Sequence, residues 1–402
     1  MEQNKKTVRM KYKRKMLAIA RRFRQAWHYC LFWAAKAYVE LLHISNDDCW
    51  LISERGNEAR DNAYAFYLYL KNKHPEVPVK YVISKTSPDL GRIEKSDIVW
   101  YKSWKNYVYF VSAGYLISTH CYGYSPDLEF FTSIDKYNLF SVRGKKIYLT
   151  HFLLDGRQFK WNTHNRKLDL YVCSSSCDYS HILEVSDYGD SIVKLLGTPR
   201  MDNLYNRGST PLDNTILVMP TWRVDFITMS REEFLSTPYY INFQKLISSS
   251  KILDYLNSQN YSLIFYPHIE VQKFIDCFSS ESDRVIIGDA SKYVVEDLLL
   301  STKFMITDYS SVHLDFALLR KKVAYLQFDR EKEFSDRPWG NHYLYERDGF
   351  GPLFFDVDSL IEYVTTQDNL DFDPKYEENI KRVFPVFDGN NCERVYNAIR
   401  EM

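Results

Sequence analysis

The run Thr307, Asp308, Tyr309, Ser310, Ser311 ends the apolar segment "FMI" and passes straight into a helical pattern that carries Asp315. A strand turning into a helix in this way gathers unpaired N–H groups, hydroxyls and the positive end of a helix dipole at one point, which suits an anion such as a diphosphate. The plainer alternative is that Asp308 or a serine only caps the helix. His268, in "FYPHIE", closes a second apolar run and so stands at the rim of a sheet. An imidazole placed there donates to a phosphate oxygen or moves a proton, though a structural histidine fits the same position. Arg223, in "MPTWR", follows a third such run and offers either a two-pronged fork to phosphate or a surface salt bridge. His151 follows "KIYLT", and at a strand end facing a cleft it could take the proton of an acceptor hydroxyl, though a structural histidine fits this position as well. The chain contains no Walker loop, HExxH or GxSxG, so NTPase, zincin and hydrolase readings lack their usual support.

These residues need rigid strands behind them. Short apolar runs fall at 49–53, 79–84, 97–101, 115–118, 146–150 and 168–175, with helix-like segments such as 59–73 between them. A second series follows at 215–222, 261–268, 285–289, 304–311 and 322–329. This alternation predicts βαβ units around parallel sheets, hence an α/β chain of two doubly wound domains. The segment "LLGTPRMDNLYN" (195–206), with Gly197 and Pro199, is the expected hinge. We place an N-terminal helix at 1–44, a Rossmann-like acceptor domain at 45–196, a Rossmann-like donor domain at 197–387 and a C-terminal helix at 388–402. Ligands in such folds bind at the carboxyl ends of the strands, so the cleft between the domains is the expected site.

The 402 residues suffice for two cores, and 45 % apolar with 26 % charged residues excludes a disordered chain. The 32 Tyr suit carbohydrate, polyol and interfacial contacts, or equally a Tyr-rich core. Seven cysteines without a CxxC pair read as reduced thiols, and Cys173 and Cys177 lack the His and Cys set that would complete a metal site. The charged start has no secretory apolar stretch, so the catalytic body is expected inside the cell.

Formal charge is zero overall, yet residues 1–24 hold ten Lys and Arg against the single acid Glu2, which leaves −9 on the remainder. Such asymmetry implies an arm with a polyanionic partner, anionic lipid or nucleic acid. From about residue 8 to 42 there is no Gly or Pro, and Met16, Ile19, Phe23, Trp27, Cys30, Leu31, Ala34, Tyr38 and Leu41 recur at helical spacing. Lys36 and Glu40 interrupt the apolar stretch, whereas a bilayer span wants ~20 apolar residues. We therefore expect a basic amphipathic helix lying on an anionic membrane surface with Trp27, Phe32 and Trp33 dipping inward; the alternative is a helix whose apolar face packs on the protein.

The ordered segments "ISERGNEARDNAYAFYLYL", "KIYLTH", "YVCSSSCDYSHIL", "LLGTPRMDNLY", "VMPTWR", "FYPH", "DLLLSTKFMITDYSSVHLDFALLRKKVAYLQFD" and "YERDGFGPL" together resemble the CDP-glycerol glycerophosphotransferase family of teichoic-acid synthesis, from Cys49 to about Phe387. The resemblance implies a GT-B-like pair of Rossmann domains, a donor bound mainly by the second, attachment to the cytoplasmic face of the cell membrane and CMP as leaving group. On that reading a hydroxyl of a lipid-linked or polymeric acceptor attacks the β-phosphorus of CDP-glycerol or CDP-ribitol, with His151 as general base. His268, Arg223, Thr307, Tyr309 and the Ser310/Ser311 helix start hold the diphosphate, while Asp308 and Asp315 orient the loop or a polyol hydroxyl. No metal-ligand cluster calls for a resident cofactor, and a divalent cation such as Mg2+ is left open. One departure is Phe152, where the family usually has Gly after its first-domain histidine. Three rivals stay open: a nucleotide-sugar glycosyltransferase of the same architecture, for teichoic acid or capsule, a catalytically inactive scaffold, and a nucleic-acid-binding protein. The last is disfavoured because the basic residues are confined to one helix without a nucleic-acid-binding motif.

Overall fold

The computed structural model describes residues 24–135, 137–151, 166–208, 212–336 and 343–402. The basic arm up to Phe23, and Phe152, lie outside the described residues.

Seven strands form the first sheet: β1 (Asn46–Ser53), β2 (Val79–Ile83), β3 (Ile98–Trp100), β4 (Ala113–Ser118), β5 (Lys145–Tyr148), β6 (Leu170–Cys173) and β7 (Val193–Leu195). Their order is β3-β2-β1-β4-β5-β6-β7, with every pairing parallel. The second sheet holds β8 (Asp213–Val218), β9 (Ser262–Phe265), β10 (Val285–Ile287), β11 (Thr302–Thr307), β12 (Lys322–Leu326) and β13 (Leu353–Phe354), in the order β10-β9-β8-β11-β12-β13 and again all parallel. Crossover helices cover both faces, which is why β1 and β12 are buried along nearly continuous apolar runs instead of alternating. In each sheet the order reverses at one place, between β1 and β4 in the first and between β8 and β11 in the second.

The predicted runs overshoot the strands at their carboxyl ends. β5 stops at Tyr148, β8 at Val218, β9 at Phe265 and β11 at Thr307, so His151, Arg223, His268 and Ser310 sit on loops beyond the sheet. Two edge strands, β7 and β13, were not expected, and β7 enters the predicted hinge.

The chain crosses between the sheets twice. Gly197 has φ +73°, a left-handed conformation that a side chain would strain, and a Cβ there would come within 2.4 Å of Asn391 Oδ1. The helix Arg200–Arg207 follows, and its Asp202 carboxylate accepts from the N–H groups of Asn391 (2.9 Å) and Cys392 (2.8 Å) at the start of the last helix, Asn391–Arg400. That helix packs Cys392, Val395 and Ile399 into the first sheet's core with Trp50, Phe66 and Tyr81.

Residues 24–41 are helical, but the expected membrane face is corrected in one respect. Phe32 is fully buried, against Phe110, Phe131 and Phe140. His28, Ala35 and Val39 share that buried side, while Trp27 (63 % exposed), Trp33, Tyr38 and Leu41 face outward. The helix thus has two apolar faces, and the one that docks is a residue away from the stripe read in the sequence. No helix among the described residues is long and apolar enough to cross a membrane.

Candidate functional site

Residues beyond β1, β4 and β5 build the first-domain rim. Thr150 has φ +49°, a left-handed conformation that a β-branched residue adopts at a cost of about 1–3 kcal/mol, and such outliers concentrate at functional sites. Its carbonyl accepts from Asn62 Nδ2 at 2.9 Å. The next residue, His151, leaves 56 % of its side chain in solvent and bonds through Nδ1 to Asp61 Oδ2. Burial acts to raise the Asp61 carboxyl, but the His151 bond and the Arg200 charge outweigh it and hold Asp61 below the usual carboxylate range. Beneath it, the buried Glu54 carboxylate accepts from the N–H groups of Arg60 (2.9 Å) and Asp61 (2.6 Å). Burial nonetheless pushes Glu54 up to about 7. Glu54 can lie so deep because Gly123 crosses its carbonyl, where a Cβ would stand 1.7 Å from that oxygen.

At the reversal between β1 and β4, Arg55 Nε donates to His120 Nε2 at 2.9 Å, and the His120 and His151 rings lie 5.1 Å apart. Burial first, then the Arg55 and His151 charges, lower His120 to about 3, so it is neutral with its proton on Nδ1. That buried Nδ1 has no hydrogen-bond partner among the described residues.

The second-domain rim is tighter. Asp308 is buried at the reversal between β8 and β11, where its Oδ1 accepts from the N–H groups of Thr221 (2.8 Å) and Tyr309 (2.6 Å), tying the two strand-end loops together. Arg223 is 4 % exposed and packed among Asp308 (2.9 Å), Asp329 (2.7 Å) and Glu333 (3.3 Å), and it also donates to the Thr221 carbonyl. Of the two readings of Arg223, a fork to phosphate or a salt bridge, the structure shows the ion pairs, in a buried rather than a surface setting, and they tie the loops together. Thr307 is also engaged, donating to the Met219 carbonyl at 2.7 Å, and Tyr309 donates to Asp329 at 3.2 Å. Asp315, expected to orient the loop or a polyol hydroxyl, is buried and paired with Arg200 at 3.0 Å.

Ser310, half-buried, and Ser311, exposed, remain at the surface, and Ser311 makes no side-chain cap bond to the helix Val312–Leu318. His268 stands past β9, half-buried beside Trp222, and its Nδ1 accepts from the Glu270 N–H at 3.2 Å. In the neutral ring that bond puts the proton on Nε2, the form that donates to an anion. Between the domains lies an open cavity of about 550 Å³, with Arg60, Asp61 and Tyr64 on one side, Tyr266, Tyr293 and Asp315 on the other, and Arg200 at the crossing. That size suits a nucleotide-sized ligand. Among the described residues no group of three or more His, Cys, Asp or Glu is arranged to hold a metal ion.

Sequence reasoning singled out His151, His268 and the "TDYSS" run but missed Asp61, His120 and Arg200. Asp61 reads as a helix cap, and Arg200 falls within the hinge. His120, after the apolar "YLIST", carries the same rim signal as His151.

Two Rossmann-like domains, each built on an all-parallel sheet, with a cavity between them define a GT-B-like α/β protein. The chain belongs to the CDP-glycerol:poly(glycerophosphate) glycerophosphotransferase family, whose sequence pattern matches residues 35–401. It is 30 % identical over 368 residues to the minor teichoic acid biosynthesis protein GgaB of Bacillus subtilis (strain 168), covering 88 % of this chain and 40 % of that protein. It is 27 % identical over 222 residues to the teichoic acid glycerol-phosphate primase of the same strain, covering 53 % of this chain and 52 % of the primase. The chain thus spans about half the length of these curated relatives. Among solved structures, the wall teichoic acid polymerase TagF superposes with a TM-score of 0.65 at 18 % identity over 89 % of each chain.

Proposed function

We propose that this protein transfers a polyol phosphate from a CDP-activated donor, CDP-glycerol or CDP-ribitol, to a hydroxyl of a lipid-linked acceptor or growing teichoic-acid polymer. The observation that supports the reading is the geometry of His151, held at Nδ1 by Asp61 and open to solvent, with Asp61 itself lining the cavity between the domains; His268, Ser310 and Ser311, on loops past the second sheet, are our candidates for the donor side. Membership of the glycerophosphotransferase family supplies the reaction class. The acceptor hydroxyl gives its proton to His151, and its oxygen attacks the donor β-phosphorus in line. The bond from that phosphorus to the bridging oxygen breaks, and CMP leaves with the electron pair. His268 Nε2 and the two serine hydroxyls donate to the diphosphate oxygens, where charge spreads in the transition state.

The same reading puts the protein peripherally on the cytoplasmic membrane face. Its support is the outward stripe of Trp27, Trp33, Tyr38 and Leu41 together with the cationic residues preceding it in sequence. The test is incubation of the purified chain with CDP-glycerol and CDP-ribitol, each with a lipid-linked acceptor. Acceptor-dependent CMP release with a new phosphodiester is expected from at least one donor. Release of UDP or GDP from a nucleotide sugar instead would overturn the reading.

A further inference from the structure

We propose that Asp61 is a positioning residue for His151, and that Arg200 and Asp315 carry this positioning across the boundary between the two domains. The inference rests on the reading of His151 as the base. Asp61 occupies the N-cap position of the helix Asn62–Lys73, a place where its side chain would ordinarily bond the helix start, yet it makes no such bond. Its Oδ2 meets His151 Nδ1, and its Oδ1 lies 3.5 Å from Arg200 Nε. An ionised carboxylate can only accept, so Nδ1 of His151 must carry the shared hydrogen, and Nε2 of the neutral ring is left as the proton acceptor.

The contacts continue into the other domain. Arg200 Nη2 reaches the buried Asp315 carboxylate at 3.0 Å, in the helix that follows Ser310 and Ser311. Asn62 runs a parallel link, because its Nδ2 donates to the Thr150 carbonyl at 2.9 Å and its Oδ1 accepts from the Arg200 N–H at 3.0 Å. Adjacent residues of one helix start thus hold the ring of His151, the strained backbone before it and the interdomain crossing. Other titratable groups near this chain include Glu54, which bonds the Asp61 N–H, His120, whose ring lies 5.1 Å from that of His151, and Glu296, whose charge acts on Arg200. The base is therefore set in its working tautomer when the first-domain rim, the crossing helix and the second-domain helix are together.

The test reads the tautomer directly, by 15N chemical shifts of labelled histidines in the full chain, with His151 assigned by the signals lost in His151→Ala. Wild type is expected to show the proton on Nδ1, and Asp61→Ala to lose that preference. Acceptor-dependent CMP release should fall about 100-fold or more in Asp61→Ala and in the near-isosteric Asp61→Asn. Arg200→Gln and Asp315→Asn should each lower kcat about tenfold. In the His151→Ala background, Asp61→Ala should cause no further loss, because residues acting as one unit are not additive. A wild-type proton on Nε2, an unchanged tautomer in Asp61→Ala, or additive losses in the double variant would each overturn the proposal. Full turnover by His151→Ala would instead overturn the reading of His151 as base, and the tautomer measurement separates the two failures.

Discussion

At each sheet's reversal an arginine from one strand-end loop meets a group from the neighbouring one, and the two sites treat that pair in opposite ways. Between β8 and β11, Arg223 is enclosed by Asp308, Asp329 and Glu333 and nearly shut off from water. Between β1 and β4, Arg55 meets the neutral His120, and the neighbouring His151 is more than half exposed. The first arrangement pairs its guanidinium internally and ties loops together. The second leaves an imidazole available to a substrate. An arginine at equivalent places of the two sheets is thus enclosed in one and open in the other, according to the partners that the neighbouring loops supply.

Replacing each centre should separate rate from stability. His151→Ala is expected to lower acceptor-dependent CMP release by ~100- to 10,000-fold, as loss of a general base does, with the melting temperature unchanged. A parallel loss of stability would show that His151 belongs to the framework. Arg223→Ala should do the reverse, since removing one partner from a buried charge cluster destabilises by about 3–5 kcal/mol, visible as a lower denaturant midpoint. An Arg223→Ala protein of normal stability with weakened donor binding would restore Arg223 as a phosphate ligand.

Smaller effects sharpen the contrast. Ser310→Ala with Ser311→Ala should weaken donor binding without unfolding, because hydrogen bonds to a charged group contribute about 1.5–3 kcal/mol each. An unchanged affinity in a donor titration would place the phosphates elsewhere. Deleting residues 1–24 should reduce co-sedimentation with anionic vesicles, each cation there contributing about 1 kcal/mol, while transfer to a short soluble acceptor persists. Equal loss of both would make the arm structural.

Much of this arrangement can be read from the chain. Long apolar runs such as "TILV" and "FMIT" become the central strands β8 and β11, and the polar residues just after them fall on the rims because a parallel sheet buries its strands and exposes their ends. β7 and β13, with three and two residues, are too short to show a run. The pairing of Asp61 with His151 spans 90 positions, and that of Arg200 with Asp315 spans 115, so neither has a local signature. Arg223 looked like a free fork because Asp329 and Glu333 come from a distant segment that only the fold brings beside it. In the helix at 24–41, Trp27 and Tyr38 on one face and Phe32 and Val39 on the other both recur at helical spacing, so periodicity alone does not choose which face docks.

The proposed function divides the work across the cleft, with the base on the first domain and the donor phosphates on the second. It is tested most directly by measuring donor affinity and acceptor-dependent CMP release side by side for His151→Ala and for the Ser310→Ala/Ser311→Ala double variant. His151→Ala is expected to bind CDP-glycerol or CDP-ribitol like wild type but to release almost no CMP, whereas the serine variant binds more weakly and recovers turnover at high donor concentration. Weakened donor binding in His151→Ala, or CMP release from it at the wild-type rate, would overturn this division.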